Sequence, residues 1–307
     1  MSDIEILKKA WKEHAFKRIH HKFIELYTTT LSSAEESLFT SNAEILFVVK
    51  RVKVDNSTAT PTQRATLLEG DIIKNLSHPN IIPVYHTQIT FREDLKKQQL
   101  VVCFPFMRGG DLYPYTLNYD GGYTPFNLTP TEIFTLMDHL VSAFDYLHNV
   151  ANYVHRDIKP ENMLLENRHD MTSVKLCDFG FAVKVTSHGD SFAEKLQDGE
   201  GNPGTPHFAA PEIFGDELTT TPKASDCWAL GISLFALAEK RYPFTGATTG
   251  KIEHAARNYA INYHSFQRTK SFFIPEIIQG FLRKDAKHRL TMKEARTLIE
   301  IHRPVSE

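Results

Sequence analysis

Three short stretches in fixed order constrain this chain more than anything else in it: YVHRDIKPENMLL at 153–165, VKLCDFG at 174–180 and GTPHFAAPE at 204–212. The first contains H-R-D-x-K-x-x-N. A chance match to those five fixed letters has odds on the order of one in ten thousand for a chain of this length, before D-F-G and A-P-E are required downstream. The residue types are as telling as their spacing. Asp157 and Asp178 supply carboxylates, Asn162 an amide oxygen and Lys159 an ammonium. Oxygen ligands of this kind suit a hard cation, and an ammonium beside them suits anionic oxygens.

Composition narrows the setting. At 307 residues the chain has room for two lobes, given about 150 residues per domain. Lys and Arg total 35 against 37 Asp and Glu, so no basic excess exists to hold a phosphate backbone, and nucleic acid is not an expected partner. No apolar run approaches the roughly 18–20 residues of a membrane span, and MSDIEILKKAWKEH places charges where a signal peptide needs an apolar stretch. A cytoplasmic protein without a transmembrane segment is the expectation, with nuclear access left open. Cys103, Cys177 and Cys227 show no C-x-x-C spacing and read as buried reduced thiols.

Residues 1–22 read as an N-terminal amphipathic extension. Ile4, Leu7, Trp11, Ala15 and Ile19 fall on one helical face over 3–21, with Lys8, Lys9, Lys12, Lys17 and Arg18 opposite. A helix packed on its own domain is favoured over one that meets a membrane surface or a partner. KFIELYTTTL and EILFVVKRVKV are rich in β-branched and aromatic residues and predict strands. QRATLLEGDIIKNL predicts a helix, and HPNIIPVYHTQITF and QQLVVCFPF two more strands. Thr129-Pro-Thr-Glu132 is a capping box with proline at the first helical position, opening a long helix. KASDCWALGISLFALAEK is apolar nearly all round and predicts a buried helix.

On those motifs the sequence resembles the eukaryotic-type protein kinase family, serine/threonine branch, over residues 23–302. The resemblance implies an α+β, bilobal fold. Residues 23–107 would form a small β-rich N-lobe and hinge, and 108–307 a larger, mostly helical C-lobe. It also implies ATP and Mg2+ as cofactors, protein substrates, and room for a regulatory protein partner. By position in the motifs, Asp157 matches the carboxylate near the incoming hydroxyl, Lys159 the serine/threonine-branch lysine, and Asn162 and Asp178 the magnesium ligands. For the lysine that grips the α and β phosphates, Lys50 and Lys53 both stand in FVVKRVK. Lys50 is preferred, because V-V-K resembles the family's V-A-I-K and Glu69 follows at about the family's separation. Val48, Phe104 as gatekeeper, Pro105, Met107 and Leu164 would surround the adenine, and Asp111 would meet the ribose or else cap a helix. Glu212 with Arg289, and Asp226, match structural anchors of the family. Ile73, Val84, His155 and Phe179 match an internal spine. Thr186, Ser187 and Ser191 are candidate phosphorylation sites, with Glu194, Asp198 and Glu200 as acidic alternatives for pairing Arg156.

One departure stands out. Where the resemblance calls for a glycine-rich phosphate loop, counting back from Lys50 gives SSAEES, with Ser32, Ala34 and Ser37 at the glycine positions and Phe39 at the following valine. Glycine serves such a loop because backbone N–H groups can then approach oxygen closely. Serine and alanine are the smallest substitutes, while Glu35 and Glu36 bring negative charge. Two functions therefore stand side by side: an ATP-dependent protein serine/threonine kinase, and a pseudokinase scaffold or allosteric adaptor with weak nucleotide binding.

Overall fold

A computed structural model of the chain describes residues 17–19, 24–29, 45–55, 69–92, 97–116, 127–185, 206–214, 221–261 and 273–303. The chain divides into two compact units, Met1–Ser77 with Ile82–Met107, and His78–Ile81 with Arg108–Glu307. Strands dominate the first and helices the second, the α+β arrangement expected.

The first unit is built on a sheet of strands β1 (Lys17–Ile19), β2 (Ile24–Thr29), β3 (Ile45–Asp55), β4 (His86–Arg92) and β5 (Lys97–Pro105), in the order β1-β2-β3-β5-β4. All neighbours are antiparallel. The long ladder between β3 and β5 runs from Phe47↔Pro105 to Asp55↔Lys97. Leu100, Val101, Val102, Cys103 and Phe104 on β5 are buried, as a central run of apolar and β-branched residues requires. Helix α1 (Glu69–Ile73) packs beside β4 and β5. Its approach is close, because a Cβ on Gly70 would lie 2.1 Å from Thr87 Oγ1.

Two expectations need correction in this unit. Lys17–Ile19 is a strand paired with β2, although the helical pattern was read through residue 21; backbone pairing on a sheet edge outweighed a weak local periodicity. The rest of the terminal extension lies outside the described residues. HPNIIPVY is not strand: extended pairing starts only at His86, and before it Ile81 makes one isolated bridge to Leu176. Pro79 and Pro83 lack the N–H groups a ladder would use. β2 pairs directly with β3, from Ile24↔Lys50 to Thr29↔Ile45, so residues 30–44 connect the second and third strands of the sheet. The first two strands are joined by residues 20–23. SSAEES itself lies outside the described residues, as do Phe39 and the returning strand expected after it.

The second unit is organised around two long helices. Helix α2 (Pro130–Asp145) opens with the expected capping box: Thr129 Oγ1 accepts from Glu132 N–H, and Glu132 Oε2 accepts from Thr129 N–H at 2.7 Å. It ends in a π turn, Tyr146–Val150. Helix α3 (Pro222–Glu239) is buried along most of its length, with Trp228, Leu230, Ile232, Leu234, Phe235 and Leu237 at 0% exposure. Helices α4 (Thr249–Asn258), α5 (Phe273–Phe281) and α6 (Met292–Ile301) surround this core, with α5 against α3 and α6 against α2. Short strands β6 (Gly110–Asp111), β8 (Met163–Leu165) and β9 (Val174–Leu176) form one small sheet, and β7 (Tyr153–Val154) pairs with β10 (Val183–Lys184). Among the described residues no helix is long and apolar enough to cross a membrane.

Candidate active site

The decisive side chains of the second unit sit on the connection from β7 to β8. That connection is pinned from beneath by one carboxylate: Asp226 Oδ2 accepts the His155 N–H at 2.8 Å, and Oδ1 accepts the Arg156 N–H at 3.0 Å. Burial alone would raise the Asp226 pKa, but the hydrogen bonds from the His148 side chain and the His155 backbone N–H hold the carboxyl below its usual value. Arg156 takes a left-handed backbone, φ 71°. Conformations of this kind cost energy in non-glycine residues and persist only where surrounding bonds fix them, as Asp226 does here.

The pinned loop presents a compact polar cluster. Lys159 Nζ donates to Asp157 Oδ2 at 2.8 Å. Asn162 Nδ2 donates to the Asp157 carbonyl at 2.7 Å and to Asp157 Oδ2 at 3.0 Å. With its amide nitrogen engaged twice, Asn162 keeps its amide oxygen as an acceptor. β8 and β9 then bring Asp178 alongside: Cys177 N–H donates to the Asn162 carbonyl at 3.0 Å, one residue before Asp178. Asp178 also has a positive φ, 61°, and its Oδ1 accepts from Gly180 N–H at 3.4 Å. The oxygens of Asn162 and Asp178 fit a magnesium ion, which takes few protein oxygens and keeps the rest of its shell for water and phosphate.

His155 ties this cluster to the core. Its ring is 4.9 Å from that of Phe179, so the two spine members in this unit are in contact. Burial lowers the His155 pKa and keeps the imidazole neutral. The Asp157 N–H donates to Nδ1 at 3.3 Å, which leaves Nε2–H to donate to the Cys177 carbonyl at 3.0 Å. One neutral ring thus spans the backbone before Asp157 and before Asp178.

In the first unit, Lys50 Nζ donates to both carboxylate oxygens of Glu69, at 3.0 and 2.8 Å. This is the lysine–carboxylate pair that the motif positions implied. Val48 shares the Lys50 face and is half-buried; it is opposite Phe104 in the β3–β5 register, and Phe104 and Met107 are buried. Pro105 closes the ladder opposite Phe47, at the end of the strand where a missing N–H is tolerated.

In the second unit, Asp111 Oδ1 accepts the Tyr113 N–H at 2.9 Å, an Asx-turn bond leading into the 3-10 turn Tyr113–Tyr115, whose N-cap is Leu112. Leu164 is half-buried and pairs with Asp111. Arg289 makes a bidentate pair with Glu212, at 2.6 and 2.9 Å, as the motif positions implied. Ser32, Ala34, Ser37, Phe39, Thr186, Ser187, Ser191, Glu194, Asp198 and Glu200 lie outside the described residues.

Sequence reading missed two supports. His148 Nε2 lies 2.8 Å from Asp226 Oδ2, both side chains nearly fully buried. It sits in the π turn, whose register shift no periodicity announces. The second is Asn80, whose Nδ2 donates to the carbonyls of Thr172 and Val174, while its Oδ1 meets His139 Nδ1 at 3.0 Å. An asparagine directly after His-Pro was the available signal, though nothing local names its partners.

Comparison with known proteins agrees with this geometry. The family description "protein kinase domain" matches residues 34–298. A serine/threonine-protein kinase of Arabidopsis thaliana, ATG1c, is 30% identical over 233 residues, covering 76% of this chain and 29% of that protein. The chain therefore spans less than a third of that relative's length.

Proposed function

The chain belongs to the protein kinase domain family, and on that premise we propose that it transfers the γ-phosphoryl group of ATP, with Mg2+, to serine and threonine hydroxyls of protein substrates. The observation that carries this reading is the Lys159–Asp157–Asn162 cluster on a loop pinned by Asp226. Phosphoryl transfer asks little covalent chemistry of a protein, so catalysis is largely positioning and electrostatics.

Each residue then has a task. Asp157 Oδ2 takes the proton of the incoming hydroxyl, and the Lys159 ammonium beside it offsets charge on the moving phosphoryl oxygens. Asn162 and Asp178 hold the cation through oxygen. Magnesium, when bound, neutralises phosphate charge and leaves the chain's own groups to orient the reactants. Lys50, fixed by Glu69 and with its side chain 22% exposed, keeps an ammonium available to phosphate oxygens.

With that function we propose a cytoplasmic protein, nuclear access left open, that acts on protein substrates and is open to a regulatory partner. SSAEES favours a second reading, in which the same fold serves as an adaptor with weak nucleotide binding. Phosphotransfer from γ-labelled ATP to a generic protein substrate separates them. The wild type is expected to transfer label well above an Asp157→Asn control, and equal signals from the two would remove the enzyme reading.

A further inference from the structure

The segment His78–Ile81 belongs to the second unit, although the chain on both sides of it belongs to the first. So short a segment keeps its place only through its own bonds. Asn80, 2% exposed, supplies several of them. Its Nδ2 donates to the carbonyls of Thr172 and Val174, its own carbonyl accepts the Leu176 N–H at 2.8 Å, and Ile81 bridges to Leu176. The segment is thereby tied to β9, and Lys175 Nζ adds a bond to the Pro79 carbonyl.

Two histidines bracket this anchor, and the groups they meet assign their protons. Asn80 N–H donates to His78 Nδ1 at 3.0 Å, so Nδ1 carries a lone pair and the proton of a neutral ring sits on Nε2, 3.2 Å from Ser142 Oγ on α2. His139, also on α2, is placed the other way round. Asn80 Nδ2 is engaged by two carbonyls, so it is Oδ1 that meets His139 Nδ1 at 3.0 Å, and that Nδ1 carries the proton. A second proton on His139 leaves its bond in place. A second proton on His78 can go only to Nδ1, where it sets one N–H against another and deprives the Asn80 backbone donor of its acceptor.

The surroundings of His78 oppose that proton. The ring is half-buried and lies 5.4 Å from that of Tyr146 in the π turn. Burial lowers its pKa from the usual 6.5, and the positive charges of Arg296 from α6, His139 from α2 and Lys175 from β9 lower it further. The carboxylates of the same elements are engaged with other groups. Asp138 and Asp145 of α2 pair with Arg303 and Arg296, Glu300 of α6 lies 3.7 Å from Arg296, and Asp170 before β9 accepts from Thr172. Glu132 and Glu294 close the capping boxes of α2 and α6.

We propose that His78 is a proton-operated latch: neutral, it holds Asn80 and through it β9, and protonated, it releases the Asn80 N–H and loosens His78–Ile81 from β9. β9 ends two residues before Asp178, so on the kinase reading, on which this consequence rests, the latch regulates the proposed magnesium position. The latch itself does not depend on that reading, and its test reads the latch alone.

Nuclear magnetic resonance of the isotope-labelled full chain tests the proposal through the histidine rings and amide exchange. As pH is lowered from about 7.5 to about 5, His78 should gain its proton below 6.5, and the Asn80 amide shift should follow with the same midpoint. Protection of the Asn80, Ile81 and Leu176 amides should fall at least about fivefold over that range, after correction for the intrinsic exchange rate. His78→Asn keeps an acceptor for the Asn80 N–H, as in an Asx turn, but has no proton to gain, so its protection should stay flat. His139→Gln should keep the wild-type decline. Four results would each overturn the proposal: a His78 ring that titrates at or above 6.5, an Asn80 amide that ignores the ring's titration, a wild type without the fall in protection, or a fall of the same size in His78→Asn. Should His78→Asn not fold, the ring and amide titrations of the wild type decide alone.

Discussion

Lys50 Nζ lies 2.8 Å from Oε2 of Glu69, a carboxylate whose side chain is 0% exposed. A charge buried to that degree is tolerable only while its partner stays. Lys50→Met should therefore destabilise the fold by about 2–3 kcal/mol, below the 3–5 kcal/mol of a fully enclosed pair because the lysine is partly exposed. Adding Glu69→Gln should recover part of the loss, since a neutral amide needs no counter-ion. Urea unfolding of the two singles and the double closes the cycle, and strict additivity would show that the pair is not coupled.

The two carboxylates of the proposed site should fail differently. Asp157→Asn is expected to remove phosphotransfer while leaving magnesium-dependent nucleotide binding within about threefold, because its task is at the incoming hydroxyl. Asp178→Asn should lose the magnesium dependence of binding as well. Calorimetric titration with ATP, with and without magnesium, checks both; identical profiles for the two variants would remove the assigned division of labour.

Acid should loosen the second unit in two stages. His155 is buried with its pKa lowered from 6.5, so the unfolded chain binds a proton more readily than the folded one. Its contribution is complete above 6.5 and is lost as pH falls below that value. Asp226 has a pKa lowered from 3.8, so its contribution is complete above 3.8 and is lost as pH falls through the lower folded value. Thermal unfolding is therefore expected to decline below about pH 6.5 and again below about pH 4, and Asp226→Asn should abolish the second step. A flat profile between pH 7 and pH 5 would contradict the assignment of a neutral buried His155.

Restoring glycine at Ser32, Ala34 and Ser37 should change ATP affinity or turnover by about tenfold or less, equivalent to about 1.4 kcal/mol. The gain is bounded because glycine adds chain entropy that ordering must overcome. The direct pairing of β2 with β3 lowers the expectation further, since it sets these residues between the second and third strands of the sheet. Conversion from no measurable ATP binding to active transfer would instead identify SSAEES as the lesion that inactivates the site and favour the adaptor reading.

The sequence by itself determined everything that depends on local patterns. H-R-D-x-K-x-x-N with D-F-G settled the polar cluster, because its members lie within a few residues or on paired strands whose β-branched runs are plain to read. Thr129 and Glu132 announced a helix start through bonds that span only three residues. Tertiary structure decided what depends on distant partners. Lys50 meets a helix carboxylate 19 residues away, Glu69, only in the folded chain. Lys17–Ile19 became strand because β2 offered it a ladder, and Pro79 and Pro83 kept HPNIIPVY out of one. Asp226 took its low pKa from His148 and His155, which approach it only through the packing of α3 against the π turn and β7.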